Sequence, residues 1–248
     1  MSISQLHLHP FDEKKIYCNE NAKQEAERIK GREINKKISK WDLNEMQTFK
    51  ISTLNIRSLK KHFIDLKQDH LLQKSDIICV NETWLESDPD EDLNNYHGYF
   101  LNLNSRGNAI FCKMEPNTVQ KIASENASII VASYTKFDLI SVYRYSDNSD
   151  LEAFTKQLLE CLNLKKTVIV LGDMNIDLMK HPQNKFTKAL TQIGFQQLVK
   201  CSTHILGGLL DHVYAFCPNS SNCTLYKTHP LYFSDHDAVT FFLQIGDH

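Results

Sequence analysis

At 248 residues, 42% of them hydrophobic, the chain is long enough for one large domain or one domain with an appendage. A formal net charge of -2 excludes a strongly basic nucleic-acid binder, so any basic surface must be local. Seven cysteines without paired zinc-type spacing, and no long apolar leader, point to free thiols in a reducing compartment. No run approaches the roughly 20 apolar residues of a membrane span.

Residues 1–47 differ in texture from the rest. Asn21 to Trp41 is rich in Lys, Arg and Glu, and Ala22, Ala26, Ile29 and Ile34 give only a thin apolar stripe. This predicts a solvated helical linker capped by Asn21, ahead of a globular domain over 48–248. From Thr48 the chain alternates. Phe49 to Leu54 reads as a half-buried strand that delivers Asn55 at its end, and His62 to Gln73 has helical spacing. Asp76 to Val80 is a buried strand with Glu82 two residues on. Asn94 to Asn108 reads as a loop that includes Arg106, followed by a strand from Ala109 to Cys112. Ser128–Ser133 and Asp138–Tyr143 are two more strands, the second followed by Arg144. Leu151–Leu162 is helical, and Thr167–Leu171 is a strongly apolar strand with Gly172-Asp173-Met174-Asn175 after it. Phe186–Ile193 is helical, Gly207-Gly208 turns into a strand past Asp211, and Leu225–Tyr232 leads to Asp235-His236. Ala238 to Leu243 closes as a buried strand.

Asn55, Glu82, Tyr143, Asp173 with Asn175, and Asp235 with His236 all stand at strand ends, and Asp211 begins a further strand. Taken singly, each fits a simpler role: Asn and Asp make turns, a Tyr closes a core, an Asp-His pair sits on a surface. The repetition argues for a site in which carboxylates, amides and an imidazole converge on a metal ion, a phosphate or a proton.

Asn55-Ile-Arg-Ser-Leu59, Glu82-Thr-Trp-Leu85, Gly172-Asp-Met-Asn-Ile-Asp177, Gly207-Gly-Leu-Leu-Asp-His-Val-Tyr214 and Ser234-Asp-His-Asp-Ala-Val239 occur in one order. In these motifs the chain resembles the endonuclease/exonuclease/phosphatase superfamily, the DNase I-like fold, above all the endonuclease domains of non-LTR retrotransposons. The resemblance implies a four-layer α/β/β/α sandwich of two packed mixed sheets with the active site at one rim. A weaker likeness joins Ser4–Leu8, Phe11–Ile16 and Ala26–Arg28 to the C-terminus of helicases from Helitron-type transposons; no phosphate-binding loop of a helicase is present.

By that resemblance Glu82 is the metal-binding carboxylate, with Asn55 orienting metal or phosphate and Asp235 supporting the metal side. The implied ion is Mg²⁺, with Mn²⁺ as an alternative. Asp173 aligns or deprotonates the attacking water, and Asn175 and Tyr143 donate to the phosphate. His236 is a general base or a phosphate-bound cation, its tautomer fixed by Asp211. Arg57, Arg106 and Arg144 are the expected substrate contacts, with Lys60 and Lys61 beside them. Two features depart from the family pattern: Arg57 stands where an acid or amide is common, and Arg144-Tyr145-Ser146 replaces a Pro-containing turn. His204 and His212 are assigned structural or substrate-edge roles.

The implied activity is a metal-dependent endonuclease that nicks one strand of duplex DNA and leaves a 3′-hydroxyl. The same resemblance implies a nuclear protein of mobile-element origin, expected as a monomer, alone or joined to a helicase or other element-encoded domain. An abasic-site repair enzyme, or another phosphoesterase of the same fold, shares every motif. A non-catalytic DNA-binding remnant is the reading from a different class.

Overall fold

The computed structural model describes residues 46–246, apart from 90–91, 105, 146–149 and 219–220. The charged stretch Asn21–Trp41, its cap at Asn21 and the helicase-like segment lie outside the described residues. The compact unit that carries the sheets begins at Gln47.

Twelve strands and three helices are laid down among the described residues: β1 (Met46–Asn55), α1 (Leu59–Gln68), β2 (Ile77–Asn81), β3 (His97–Leu101), β4 (Asn108–Cys112), β5 (Thr118–Ala123), β6 (Ala127–Ser133), β7 (Phe137–Arg144), α2 (Leu151–Glu160), β8 (Thr167–Asp173), α3 (Lys185–Gln192), β9 (Gln196–Gln197), β10 (Asp211–Phe216), β11 (Asn222–His229) and β12 (Ala238–Gly246). They form two six-stranded sheets, ordered β11-β12-β1-β2-β4-β3 and β5-β6-β7-β8-β10-β9. Each sheet is mixed: β1–β2 and β7–β8 run parallel, whereas β2–β4, β6–β7 and β8–β10 run antiparallel.

Period-2 alternation assigns every buried side chain to a layer. Ile51, Ile77, Cys79, Ile110, Val239 and Phe241 of the first sheet meet Ile130, Leu139, Ile169, Leu171 and Val213 of the second. Their neighbours point the other way. Leu54, Ile78, Val80 and Phe111 pack against Leu59, Phe63 and Leu66 of α1. Ile129, Val142, Val168 and Val170 pack against Phe154 and Leu158 of α2 and Phe186 and Leu190 of α3. The order is therefore helix, sheet, sheet, helices, the four-layer sandwich expected. Each fully buried Leu, Ile or Phe contributes about 1.5–3 kcal/mol.

The differences from the sequence reading fall at sheet edges. β3 occupies what reads as a loop over 94–108, and β5 and β9 carry no apolar run. All three are edge strands with largely exposed or half-exposed side chains, so alternation has no buried face to mark. α1 begins at Leu59, three residues before the predicted start. Ser58 caps it by accepting from the Lys61 N–H, and Asp69 ends it by taking the N–H groups of Leu71 and Leu72. The six described cysteines are free thiols, and no described helix is long and apolar enough to cross a membrane.

One glycine fixes how the sheets deliver the site. Gly172 has φ 127°, and a Cβ there would fall 2.0 Å from the Val142 carbonyl oxygen of β7. Backbone cannot give way as a flexible side chain does. Gly172→Ala is expected to lower stability by about 2 kcal/mol or more, read as a drop in melting temperature, and to displace Asp173.

Candidate active site

The parallel pairs send β1, β2, β7 and β8 toward one rim, and β10 starts there because it runs antiparallel to β8. Register then places the polar ends side by side: Asn55 opposite Asn81, Tyr143 opposite Asp173, and Asp173 opposite Asp211. His236 arrives two residues before β12, the neighbour of β1. Sequence-distant groups from both sheets therefore meet.

Asn55 joins them. Its Nδ2 donates to Oε1 of Glu82 at 2.8 Å and to Oδ2 of Asp173 at 2.9 Å, so one fully buried amide holds a carboxylate from each sheet. Its Oδ1 accepts the Arg57 N–H at 3.1 Å. The amide thus enters the site chiefly through its donors, and the oxygen assigned to a metal is engaged by backbone. The Tyr143 hydroxyl donates to Oε1 of Glu82 at 3.1 Å, and burial, then the Glu82 and Asp173 charges, pushes its pKa up.

Across the rim, Nδ1 of His236 lies 2.8 Å from Oδ2 of Asp211, both groups buried. Burial works against the charged imidazole. The Asp211 carboxylate, with Asp173 and Asp235 behind it, outweighs burial and raises the pKa to about 9. Asp173 is pushed up to about 7, first by burial and then by the Asp211 charge. Its Oδ1 accepts the Asn175 N–H at 2.9 Å, closing an Asx-type turn in which Asn175 takes φ 48°. Asn175 Nδ2 donates one hydrogen to the Arg144 carbonyl at 2.6 Å and keeps a second.

One of the expected arginine contacts changes, and another is already engaged by a carboxylate of the site. Arg144 is buried, and its Nη1 donates to the carbonyls of Asn175 at 3.1 Å and Met174 at 3.4 Å. It braces the turn from beneath, which corrects its assignment as a substrate contact: every residue of β7 is buried, including its last. Arg57 pairs with Asp235 at 2.6 Å, so the basic residue at the departing position neutralises the neighbouring acid. Arg106 stays on the exposed rim, its guanidinium 4.0 Å above the Tyr145 ring.

Several contributors escaped the sequence reading. Asn81 Oδ1 accepts the Asp173 N–H at 2.8 Å, and Asn108 ties β4 to β7 through the Ser141 carbonyl and hydroxyl. Thr203 Oγ1 accepts the N–H groups of Leu210 and Asp211, and Ser234 Oγ donates to the Asn55 carbonyl while accepting the His236 N–H. Asn81, immediately before Glu82, and Ser234, at the head of the Ser-Asp-His motif, carried a legible signal; Thr203 carried none beyond loop composition. His204 stands edge-on to His236, with ring centroids 4.8 Å apart, and its Nε2 is 3.5 Å from Asp235. The next two residues, Ile205 and Leu206, are 78% and 87% exposed.

The profile described as Endonuclease/Exonuclease/phosphatase family matches residues 53–236. No curated protein matches the chain. Among solved structures, an AP endonuclease from Archaeoglobus fulgidus is similar at TM-score 0.60 and 19% identity, over 81% of this chain and 100% of that one. A 3′ phosphatase from Neisseria bound to a product DNA hairpin is similar at 0.58 and 16%, over 81% and 100%. The endonuclease domain of TRAS1, a telomere-specific non-LTR retrotransposon, is similar at 0.55 and 12%, over 79% and 98%.

His212, next to Asp211, serves the scaffold. It is fully buried, with Nε2 bonded to the carbonyls of Ile176 (2.9 Å) and Leu209 (3.2 Å), and burial lowers its pKa from 6.5 to about 4. Protonation therefore favours the unfolded chain. The contribution of the neutral ring is whole above pH 6.5 and drains away as the pH falls toward 4, by about 3 kcal/mol in all. Denaturant titrations across that window are expected to show a shallower acid loss in His212→Gln than in the natural protein.

Proposed function

The chain belongs to the endonuclease/exonuclease/phosphatase family, and from that premise we propose that it is a divalent-metal-dependent DNA endonuclease that nicks one strand and leaves a 3′-hydroxyl. The observation that carries this reading is the convergence of Asn55, Glu82, Tyr143, Asp173, Asp211 and His236 from two sheets into one hydrogen-bonded rim. Support for DNA comes from two of the similar proteins, the phosphatase bound to a DNA hairpin and the retrotransposon endonuclease domain. The ordered motifs support a mobile-element origin. In this reading the protein is monomeric and nuclear, with or without an attached helicase.

The residues fit a hard cation. Four carboxylates, Glu82, Asp173, Asp211 and Asp235, crowd the rim, and Oδ1 of Asp211 and Oδ1 of Asp235 are buried without a hydrogen-bond partner. Buried carboxylate oxygens left without donors are what Mg²⁺, or alternatively Mn²⁺, satisfies. Glu82 and Asp235 would hold it, with Asn55 fixing the Glu82 carboxylate. When bound, the ion supplies positive charge to a phosphoryl oxygen and to the departing alkoxide.

The chain's own groups do the rest. Asp211 occupies Nδ1 of His236, which leaves Nε2 as the ring nitrogen that faces a phosphoryl oxygen, and the imidazolium donates there. Asp173, held by Asn55 and by the Asn175 N–H, orients the attacking water and takes its proton. The second Nδ2 hydrogen of Asn175 donates to the phosphate. Arg57 and Arg106 flank the site for neighbouring phosphates, a positioning role without sequence information.

Supercoiled plasmid tests the reading. Mg²⁺ is expected to convert it to open circles, chelator to stop this, and His236→Ala to slow it by about 10²-fold or more. Turnover of an abasic duplex or a small phosphoester with intact plasmid left untouched would replace the substrate and keep the site. Binding without any turnover would leave a DNA-binding remnant.

A further inference from the structure

Trp84 is a half-exposed aromatic residue beside the rim that hydrolysis does not use. Trp84 stands two residues after Glu82, between fully buried Thr83 and buried Leu85, yet is 39% exposed. Its backbone is left-handed, φ 52°, as is that of Glu82, φ 54°. Bulky side chains avoid this conformation, because Cβ crowds the following carbonyl. The turn is held from the next loop: the Trp84 N–H donates to the Arg106 carbonyl at 2.8 Å, and a Cβ on Gly107 would fall 2.4 Å from Oγ1 of Thr83. Of the seven non-glycine residues with positive φ among the described residues, five stand on this rim: Arg57, Ser58, Glu82, Trp84 and Asn175. Strain gathered at one place points to function, since a turn that only had to close would carry Gly or Asn and leave no indole in water.

We propose that Trp84 is a platform for a nucleobase that has lost a stacking partner, one or two nucleotides from the cleaved phosphate. Two peptide units separate the Cα atoms of Glu82 and Trp84 by at most about 7 Å. Phosphates follow one another every ~3.4 Å of rise along a strand, so the indole reaches only the nearest nucleotides. An aromatic face binds a base face, and a base inside a continuous duplex has both faces covered by its neighbours. A bulged, mismatched or frayed base has one free. Arg106, bonded to Trp84 through its carbonyl and exposed on the same rim, places a cation where the adjoining phosphate lies. The inference rests on the phosphodiesterase reading and narrows its substrate to DNA already distorted at the cleavage point.

The chain holds two tryptophans, Trp41 and Trp84, so Trp41→Phe leaves Trp84 as the sole indole reporter. Its emission is followed while the protein is titrated, in chelator, with a duplex carrying three unpaired thymines and with the same duplex fully paired. The bulged duplex is expected to quench the emission and to bind about 5- to 150-fold more tightly than the paired one. Followed by anisotropy of labelled DNA, Trp84→Tyr keeps this preference. Trp84→Asn loses it with its melting temperature unchanged or raised, because Asn tolerates a left-handed backbone. Equal affinity for the two duplexes, or a preference that survives in Trp84→Asn, overturns the assignment. Plasmid nicking by the same preparation separates the failures: nicking without preference sinks the Trp84 role alone, whereas neither binding nor nicking sinks the hydrolytic reading with it.

Discussion

A single buried amide couples the two sheets at the functional rim. Asn55 gives one hydrogen to Glu82 and one to Asp173, so the end of β1 fixes a carboxylate on its own sheet and another on the facing sheet. Carboxylates gathered in a dry rim repel, and each needs donors to stay ionised. Asn55 supplies two of them without adding charge. Asn81 does the same for the backbone, by accepting the Asp173 N–H across the inter-sheet gap. These few polar bonds set the stagger of the sheets, because the apolar packing around them has no direction of its own.

The charge balance follows from the same crowding. His236 is drawn toward its cationic form by Asp211, and Arg57 covers Asp235. Arg57 stands where an acid or amide is common, so the site is more positive by two units or one where a polyanion would enter. Family membership and shared architecture define the chemistry available to such a rim; the substrate depends on what surrounds it.

How much of this was legible in the sequence depends on burial. Strands β2, β4, β6, β7, β8 and β12 announced themselves as apolar runs, and the polar residues at the ends of β1, β2, β7 and β8 and just before β12 marked the rim. The edge strands β3, β5 and β9 did not, since a half-exposed strand shows no one-sided pattern. Arg144 was misjudged for a related reason. A charge at a strand end reads as exposed, but this one is roofed by the turn it supports, and only the three-dimensional path of Met174 and Asn175 reveals that. The bridging role of Asn55 and the bond from Ser234 to the Asn55 carbonyl are relations between residues far apart in the chain, and no local pattern encodes them.

The position of β12 has a consequence for how the protein comes into being. It is the last of the described strands to be synthesised, yet it lies inside its sheet, between β11 and β1, and His236 rides just ahead of it. Until it inserts, β1 has one unsatisfied edge and the rim lacks its imidazole. Long-range closure of this kind is slow, and translation must be nearly through the domain before it can begin. A chain whose synthesis has not passed β12 therefore holds Glu82, Asp173 and Asp211 without the imidazole that pairs with Asp211.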